Sequence, residues 1–241
     1  MSISQMCSIS SCKPNSETCS NAALNGQLEV LKCARNNGCK WDSYTCSNAA
    51  LNGHLDVLKW ARDNGCDWDE NTCANAALNG HLEVLKWARN IGCCNWDENT
   101  CANAALNGHL EVLKWVIDNG CDWDLNIYTN AVRNGHLEVL KWVVANCRKG
   151  NSLDEHLEIS KWICANAALN GHLEILKWAR TNGCHWDSDT CANAALNGHL
   201  EVLKWARDNG CDWDFHTYIY AMQNKNQEVL KWCIDNDCPK N

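Results

Sequence analysis

The chain has 241 residues, a formal net charge of −8 at pH 7, 14 Trp, 19 Cys and only 2 Pro. The acidic net charge argues against binding to nucleic-acid phosphates, which needs a basic face. The sequence has no run of 18 apolar residues, so no membrane-spanning helix is predicted. Fourteen Trp beside a single Phe indicate that one short unit has been copied many times.

The N-terminal segment, residues 1–14, is predicted to be a remnant or cap of the repeated part. It opens with MSISQMCSIS, which has neither a basic nor an apolar stretch, so no secretory signal is expected. Pro14 stands where the next unit has Trp41, as expected for an end that packs on nothing. We therefore expect an intracellular, cytoplasmic protein whose cysteines remain mostly thiols.

Residues 15–238 are predicted to form one array of about eight units. A phrase such as NAALNGHLEVLKW recurs mostly every 27 residues, with one step of 28 where Cys93-Cys94 lengthens a loop. A period in this range predicts a solenoid. The last residue of the phrase falls at Cys33, Trp60, Trp87, Trp115, Trp142, Trp178, Trp205 and Trp232.

Each unit is predicted to contain two short helices joined by a tight turn. In the unit that starts at Trp68, Asp69 and Asn71 suit the N-cap of a first helix that runs through Asn79. Gly80 then tolerates the positive φ with which many helices end.

The second helix of the same unit is predicted from about Leu82 to Arg89. Its apolar face comprises Leu82, Leu85 and Ala88. Glu83 and Lys86 point outward as an ion pair. Such short helices are marginal alone, so the units must stack on one another, and we expect the Trp columns to be the main filler between units.

A nine-residue insertion falls within residues 143–177. The sequence SLDE from Ser152 to Glu155 matches a capping box. No glycine separates Trp162 from Ala167, so we favour one lengthened first helix, about Leu153 to Leu169, over a degenerate extra unit. The array ends in a polar last pair of helices and a short tail, residues 239–241.

These units resemble ankyrin repeats. AALNGHLEV from Ala76 to Val84 is similar to AAxxGHLEV of that family, and GCDWD from Gly65 to Asp69 is similar to GADVN. The unit is shorter than the roughly 33-residue ankyrin repeat because the tip of the hairpin loop is missing. Variants rich in Trp and Cys resemble ankyrin-repeat proteins of giant DNA viruses of amoebae and of some protists.

The resemblance implies an all-α, helix-turn-helix solenoid with truncated hairpin loops. It also implies a non-catalytic scaffold that binds an intracellular protein, in the host cytoplasm if the chain is viral, through the first-helix face and the short loops. We expect a monomer that binds neither nucleic acid nor a membrane and needs no cofactor.

The repeated Cys and His columns permit a second hypothesis, metal or redox buffering. A zinc site needs ligands that converge, and no C-x-x-C occurs. By the resemblance, Cys73 and Cys66 occupy places of core Leu and Ala, so we interpret the thiols as core residues and His81 as stabilising the turn. No catalytic or metal-binding residue is predicted. A third hypothesis is a structural spacer without a dedicated partner.

Partner-binding candidates lie in one column of the first helices, where Arg133 and Gln223 replace the usual Leu and so indicate solvent access. An exposed Leu row would form an apolar stripe typical of interfaces, whereas tight packing would instead bury these residues against the loops. The column comprises Leu24, Leu51, Leu78, Leu106, Arg133, Leu169 and Leu196.

Two further features of the first helices have open interpretations. Aromatic or apolar residues at variable positions, which either form a recognition edge or reflect drift, are Tyr44, Leu125, Phe215 and Tyr220. An Asn column that includes Asn48, Asn75 and Asn103 is predicted to form a ladder between units or a polar contact row.

Overall fold

The computed structural model describes residues 16–41, 43–68, 70–92, 98–122, 124–146, 153–224 and 226–240. Within these ranges the regular elements are all α-helices and there is no strand, which confirms the predicted all-α class. The predicted cap at 1–14, the loop insertion at Cys93-Cys94 and the start of the capping box at Ser152 lie outside the described residues.

The helices come in pairs, a first helix with an odd label and a second helix with an even one. The pairs are α1 (Ser16–Leu24) with α2 (Leu28–Asn36), α3 (Ser43–Leu51) with α4 (Leu55–Asp63), α5 (Glu70–Leu78) with α6 (Leu82–Asn90), α7 (Glu98–Leu106) with α8 (Leu110–Asp118), α9 (Asn126–Arg133) with α10 (Leu137–Asn146), α11 (Leu153–Leu169) with α12 (Leu173–Thr181), α13 (Ser188–Leu196) with α14 (Leu200–Asp208), and α15 (Phe215–Gln223) with α16 (Gln227–Asp235).

The turn inside each pair forms because glycine allows a left-handed residue there. Gly80 has a φ of +77°. The N–H of His81 donates to the carbonyl of Ala76 at 2.8 Å, and the N–H of Gly80 donates to that of Ala77 at 3.2 Å. These two bonds are those of a Schellman motif, which satisfies carbonyls that the helix end would leave unpaired. The predicted break at Gly80 is confirmed.

The fully buried core is aliphatic. On α6 the buried residues are Val84, Leu85 and Ala88, whereas Leu82, which we predicted on the buried face, is partly exposed. The position of Leu85 is also buried in six of the other second helices, as Leu31, Leu58, Leu113, Leu140, Leu176 and Leu203. Alanines and cysteines of the first helices fill the space opposite, because only small side chains fit where helices approach closely.

The prediction that Trp is the main filler between units is wrong for this core. Each Trp whose burial is described remains partly exposed. The indoles instead form a flanking layer, in which a loop Trp contacts the Trp of the following second helix edge-on, as Trp41 and Trp60 do with ring centroids 5.6 Å apart. The Arg35 guanidinium lies over the Trp41 ring at 4.2 Å, and such cation–π contacts need one ring face open to the cation.

Apart from its repeats, the chain divides into two larger compact parts, which we call the first unit (Met1–Ile127) and the second unit (Tyr128–Asn241). The boundary lies inside α9. In the first unit α1, α3, α5 and α7 pack consecutively on one another; in the second unit α11, α13 and α15 do so. The insertion lengthens α11 to 17 residues, Leu153–Leu169, as predicted. Nowhere in the described ranges is a helix both long and apolar enough to span a bilayer.

Candidate functional site

The Leu column that the sequence singled out lies at the C-terminal ends of the first helices. Each of its Leu residues is the last residue of its helix, and each is partly exposed. Arg133 and Gln223, the last residues of α9 and α15, are exposed. In the first unit the column is an uninterrupted row on consecutively packed helices, which we call the Leu row: Leu24, Leu51, Leu78 and Leu106.

A second Asn column, which sequence reasoning missed, fixes the backbone of these Leu residues. The Asn79 Nδ2 atom donates to the carbonyl of Leu51, one repeat earlier, at 2.7 Å. Asn52 and Asn107 bond Leu24 and Leu78 in the same way, also at 2.7 Å. In the second unit Asn197 and Asn224 bond Leu169 and Leu196 at 2.7 and 2.6 Å. The sequence did contain a signal, because an Asn precedes the glycine of these turns. That pattern is explained by turn formation alone, so it did not indicate a bond to the preceding repeat.

The predicted turn-stabilising His acts between units. The Nε2 atom of His81 lies 3.0 Å from the same Leu51 carbonyl, and because a carbonyl only accepts, this nitrogen donates. The His81 ring also lies against Gly53 of the preceding turn, where a Cβ would come within 2.5 Å of Nδ1. His199 repeats the bond to Leu169 at 3.1 Å. The turns that contain His81 and His199 are therefore each anchored to the preceding turn.

The Asn column that the sequence indicated, which includes Asn48 and Asn103, also forms hydrogen bonds between repeats, as the ladder interpretation expected. Asn48 and Asn103 donate to the carbonyls of Ser20 and Ala74, at 3.4 and 3.2 Å. The ladder thus runs from amide to backbone and not from amide to amide.

In the first unit the two kinds of helix differ in charge. In the first unit α1, α3, α5 and α7 contain no Lys, Arg or His. The second helices carry exposed ion pairs, among them Lys86–Glu83 at 2.8 Å, as predicted, and Lys114–Glu111 at 2.8 Å. The first helices that carry the Leu row therefore have no basic side chain, whereas the second helices carry both Lys and Glu.

The aromatic and apolar candidates outside the column differ in exposure. Tyr44 is 68% exposed, Leu125 61% and Phe215 40%, whereas Tyr220 is partly exposed. Tyr44 precedes Leu51 by seven residues, two turns of α3, so both lie on the same side of that helix. On α15 the Phe215 ring contacts the His216 ring at 4.0 Å. Sequence reasoning missed Met222 of the same helix, which is 52% exposed.

The cysteine columns are core residues in the parts of the chain that the structure describes. Eleven thiols there are buried, and a twelfth, that of Cys184, is partly exposed. The Sγ atoms of Cys19 and Cys39 lie 2.9 Å apart. Burial is the larger cause, and the hydrogen bond with Cys39 the second, that raises the pKa of the Cys19 thiol to about 12. Burial also raises the pKa of the Cys164 thiol to about 12. Across the described ranges no three His, Cys, Asp or Glu side chains are grouped as metal ligands.

Comparison with known proteins identifies the repeats. The family model "Ankyrin repeats (3 copies)" matches residues 46–127. The crystal structure of the human ASB11 ankyrin repeat domain is similar with a TM-score of 0.58, over 78% of this chain and 96% of that domain, at 18% sequence identity. That identity shows a shared fold alone. No curated protein sequence matches the chain.

Residues 46–127 therefore match the ankyrin-repeat model, and the chain has the fold of an ankyrin-repeat solenoid, as the resemblance implied.

Proposed function

We propose that this chain is a non-catalytic scaffold that holds an intracellular protein partner against the exposed face of its first helices. Ankyrin repeats are in general protein-interaction modules. One observation carries the proposal for this chain: the Leu row is partly exposed on first helices without basic side chains, while the described ion pairs of the first unit lie on second helices. The proposal takes residues 15–238 as one monomeric array, without affinity for nucleic acid or membranes.

The Leu row suits binding because the backbone carbonyls of three of its four residues are already held by hydrogen bonds. The carbonyl of Leu51 accepts bonds from both Asn79 and His81, so the end of α3 is held before a partner arrives. A surface that needs no ordering loses less entropy on binding. Burying the remaining exposed part of several Leu side chains then contributes roughly 25 cal/mol for each Å² removed from water.

Aromatic side chains extend this face. Tyr44, on the same side of α3 as Leu51, is an exposed anchor of the type enriched in interfaces. Leu125 is a further candidate in the first unit. In the second unit the proposed contacts are Arg133, Leu169, Leu196, Phe215 and Tyr220.

Metal or redox buffering is the less favoured function. The thiolate is the reactive and metal-binding form of cysteine, and burial raises the pKa of the Cys19 and Cys164 thiols to about 12. A buffering protein needs accessible thiolates, whereas these thiols remain protonated at neutral pH. An origin in a giant virus or a protist belongs to the proposal and would place the partner in the cytoplasm of the host or producing cell.

Photo-crosslinking in an extract of the producing cells tests the proposal. A photoreactive benzoylphenylalanine replaces Tyr44, and a second protein carries it at Ile91, which is 42% exposed at the end of α6. We expect a discrete protein adduct from position 44 and none from position 91. The adduct should disappear when Leu78→Arg and Leu106→Arg are added, because two guanidinium groups then occupy the Leu row.

A charge-matched control uses Asn90→Arg with Asp118→Asn, which also raises the net charge by two but on exposed second-helix positions. Arg133 shows that the column accepts Arg in a folded helix, so both variants should retain the helical circular-dichroism signal. An adduct equally strong in the Leu78→Arg/Leu106→Arg variant would refute the proposed surface. Absence of any adduct from positions 44 and 91 would favour a spacer.

A further inference from the structure

The turn asparagines have a fixed orientation that places an acceptor atom, Oδ1, at the edge of the Leu row. The Asn52, Asn79 and Asn107 side chains each place one terminal atom 2.7 Å from a Leu carbonyl. Because a carbonyl oxygen only accepts, that atom is the Nδ2 donor and the other is the Oδ1 acceptor. No residue in the described ranges donates a hydrogen bond to these three Oδ1 atoms, and all three side chains are exposed.

The face therefore offers hydrogen-bond acceptors and apolar surface. Each Asn Nδ2 uses one of its two hydrogens on a Leu carbonyl, so each side chain offers one remaining amide hydrogen beside its Oδ1 acceptor. Only a partner that donates can satisfy the Oδ1 atoms, and the strongest side-chain donors are the Lys ammonium and the Arg guanidinium.

The charges of the first unit favour the same kind of partner. The first helices there have no cation to repel Lys or Arg, and their acidic positions, Glu17, Glu70 and Glu98, all lie in first turns. Glu17 is exposed. The whole chain carries −8 at pH 7, which attracts a cationic partner over long range. An anionic segment would meet unpaired acceptors and repulsion at this surface.

The dimensions of the Leu row fit a helix of ordinary length. Neighbouring packed helices lie about 8–10 Å apart, so the three steps from α1 to α7 span roughly 25–30 Å. A helix rises about 1.5 Å per residue, and one of roughly 18 residues therefore covers the whole row.

From these observations we infer that the first-helix face of the first unit binds a cationic amphipathic protein segment. Apolar residues of the segment lie on Leu24, Leu51, Leu78 and Leu106, and its Lys or Arg side chains donate to Oδ1 of Asn52, Asn79 and Asn107. The inference rests on the proposed function and names the chemistry of the partner at that same site.

Fluorescence anisotropy with the full chain and three synthetic peptides tests the inference. The peptides are an 18-residue amphipathic helix of Leu and Lys, a scrambled peptide of the same composition, and an amphipathic helix of Leu and Glu. The proteins are the wild type, Leu78→Arg/Leu106→Arg, and the charge-matched Asn90→Arg/Asp118→Asn. Each titration is run at two salt concentrations, because contacts between charges weaken with ionic strength.

We expect the amphipathic Leu/Lys peptide to bind the wild type and the charge-matched control alike, and at least tenfold more weakly to Leu78→Arg/Leu106→Arg. The scrambled and Leu/Glu peptides should bind at least tenfold more weakly than the Leu/Lys helix, and added salt should weaken binding of the latter. Equal losses in the two variants would show only attraction to net charge and overturn the inference.

Two other results separate the inference from the proposed function. If the Leu/Glu helix binds as tightly as the Leu/Lys helix and both are lost in Leu78→Arg/Leu106→Arg, the face binds protein but the cationic preference is refuted. If no peptide binds while the crosslinked adduct forms at position 44, the scaffold function stands and the inferred partner chemistry is wrong. If neither peptide nor adduct is observed, both fail.

Discussion

Replacement of Gly53 by Ala tests whether the turns are anchored to one another, and Gly65 provides a matched position. Gly53 and Gly65 have φ values of +71° and +79°. An Ala in this region costs roughly 1–2 kcal/mol, offset by about 0.4–1 kcal/mol because Ala has less conformational freedom than Gly in the unfolded chain. A Cβ on Gly65 meets nothing within 4 Å. We therefore expect Gly65→Ala to lower the free energy of unfolding by about 1.5 kcal/mol or less.

Gly53→Ala should cost more because its Cβ would lie 2.5 Å from Nδ1 and 2.7 Å from Cε1 of His81. The ring must move away, and its 3.0 Å bond to the Leu51 carbonyl is then lost. Asn79 still donates to that carbonyl, so the carbonyl retains a partner and the loss stays near 1 kcal/mol. The total expected for Gly53→Ala is about 1–2.5 kcal/mol.

Urea unfolding followed by far-UV circular dichroism measures these costs in a double-mutant cycle. The proteins are the wild type, Gly53→Ala, His81→Ala and the double variant, with Gly65→Ala as the reference. In the His81→Ala background the clash is absent, so Gly53→Ala should cost no more than Gly65→Ala does. An equal cost of Gly53→Ala in both backgrounds would refute the anchoring of one turn by the His of the next.

Three further results follow from burial and charge. Leu85→Ala should lower the free energy of unfolding by about 2–5 kcal/mol, because its side chain is fully buried, and Trp87→Ala should cost less in the same urea experiment because the indole is partly exposed. Lys86→Ala should change stability by about 0.5 kcal/mol or less, since its bond to Glu83 is exposed; a larger loss would mean that this pair is not merely a surface contact. Cys19 should resist iodoacetamide in the folded protein at pH 8 and react in urea, as mass spectrometry of its peptide would show. Fast labelling of the folded protein at pH 8 would contradict the burial of this thiol. Folding raises its pKa from 9.0 to about 12. The protonated thiol therefore contributes its full stabilisation below pH 9, and this contribution is lost as the pH rises toward 12.

Much of the fold was predictable because the signals are local and repeat in every unit. Gly80 indicated the turn, since few other residues adopt a positive φ without strain, and the structure gives it +77°. The absence of glycine between Trp162 and Ala167 indicated one long helix, and α11 indeed runs from Leu153 to Leu169. The pairing of Glu83 with Lys86 followed from helical periodicity.

Contacts between repeats were harder to predict. A residue that recurs in every repeat has the same sequence neighbours whether its side chain faces the core or the solvent, so the sequence pattern does not distinguish the two cases. The sequence by itself determined the paired helices, their turns and the Leu column. Only the tertiary structure decided that Trp flanks the core, that Leu51 is partly exposed, and that Asn79 and His81 both donate to its carbonyl. The physical reason is that periodicity determines the faces of one helix, whereas burial and hydrogen-bond partners depend on how closely the next helix packs.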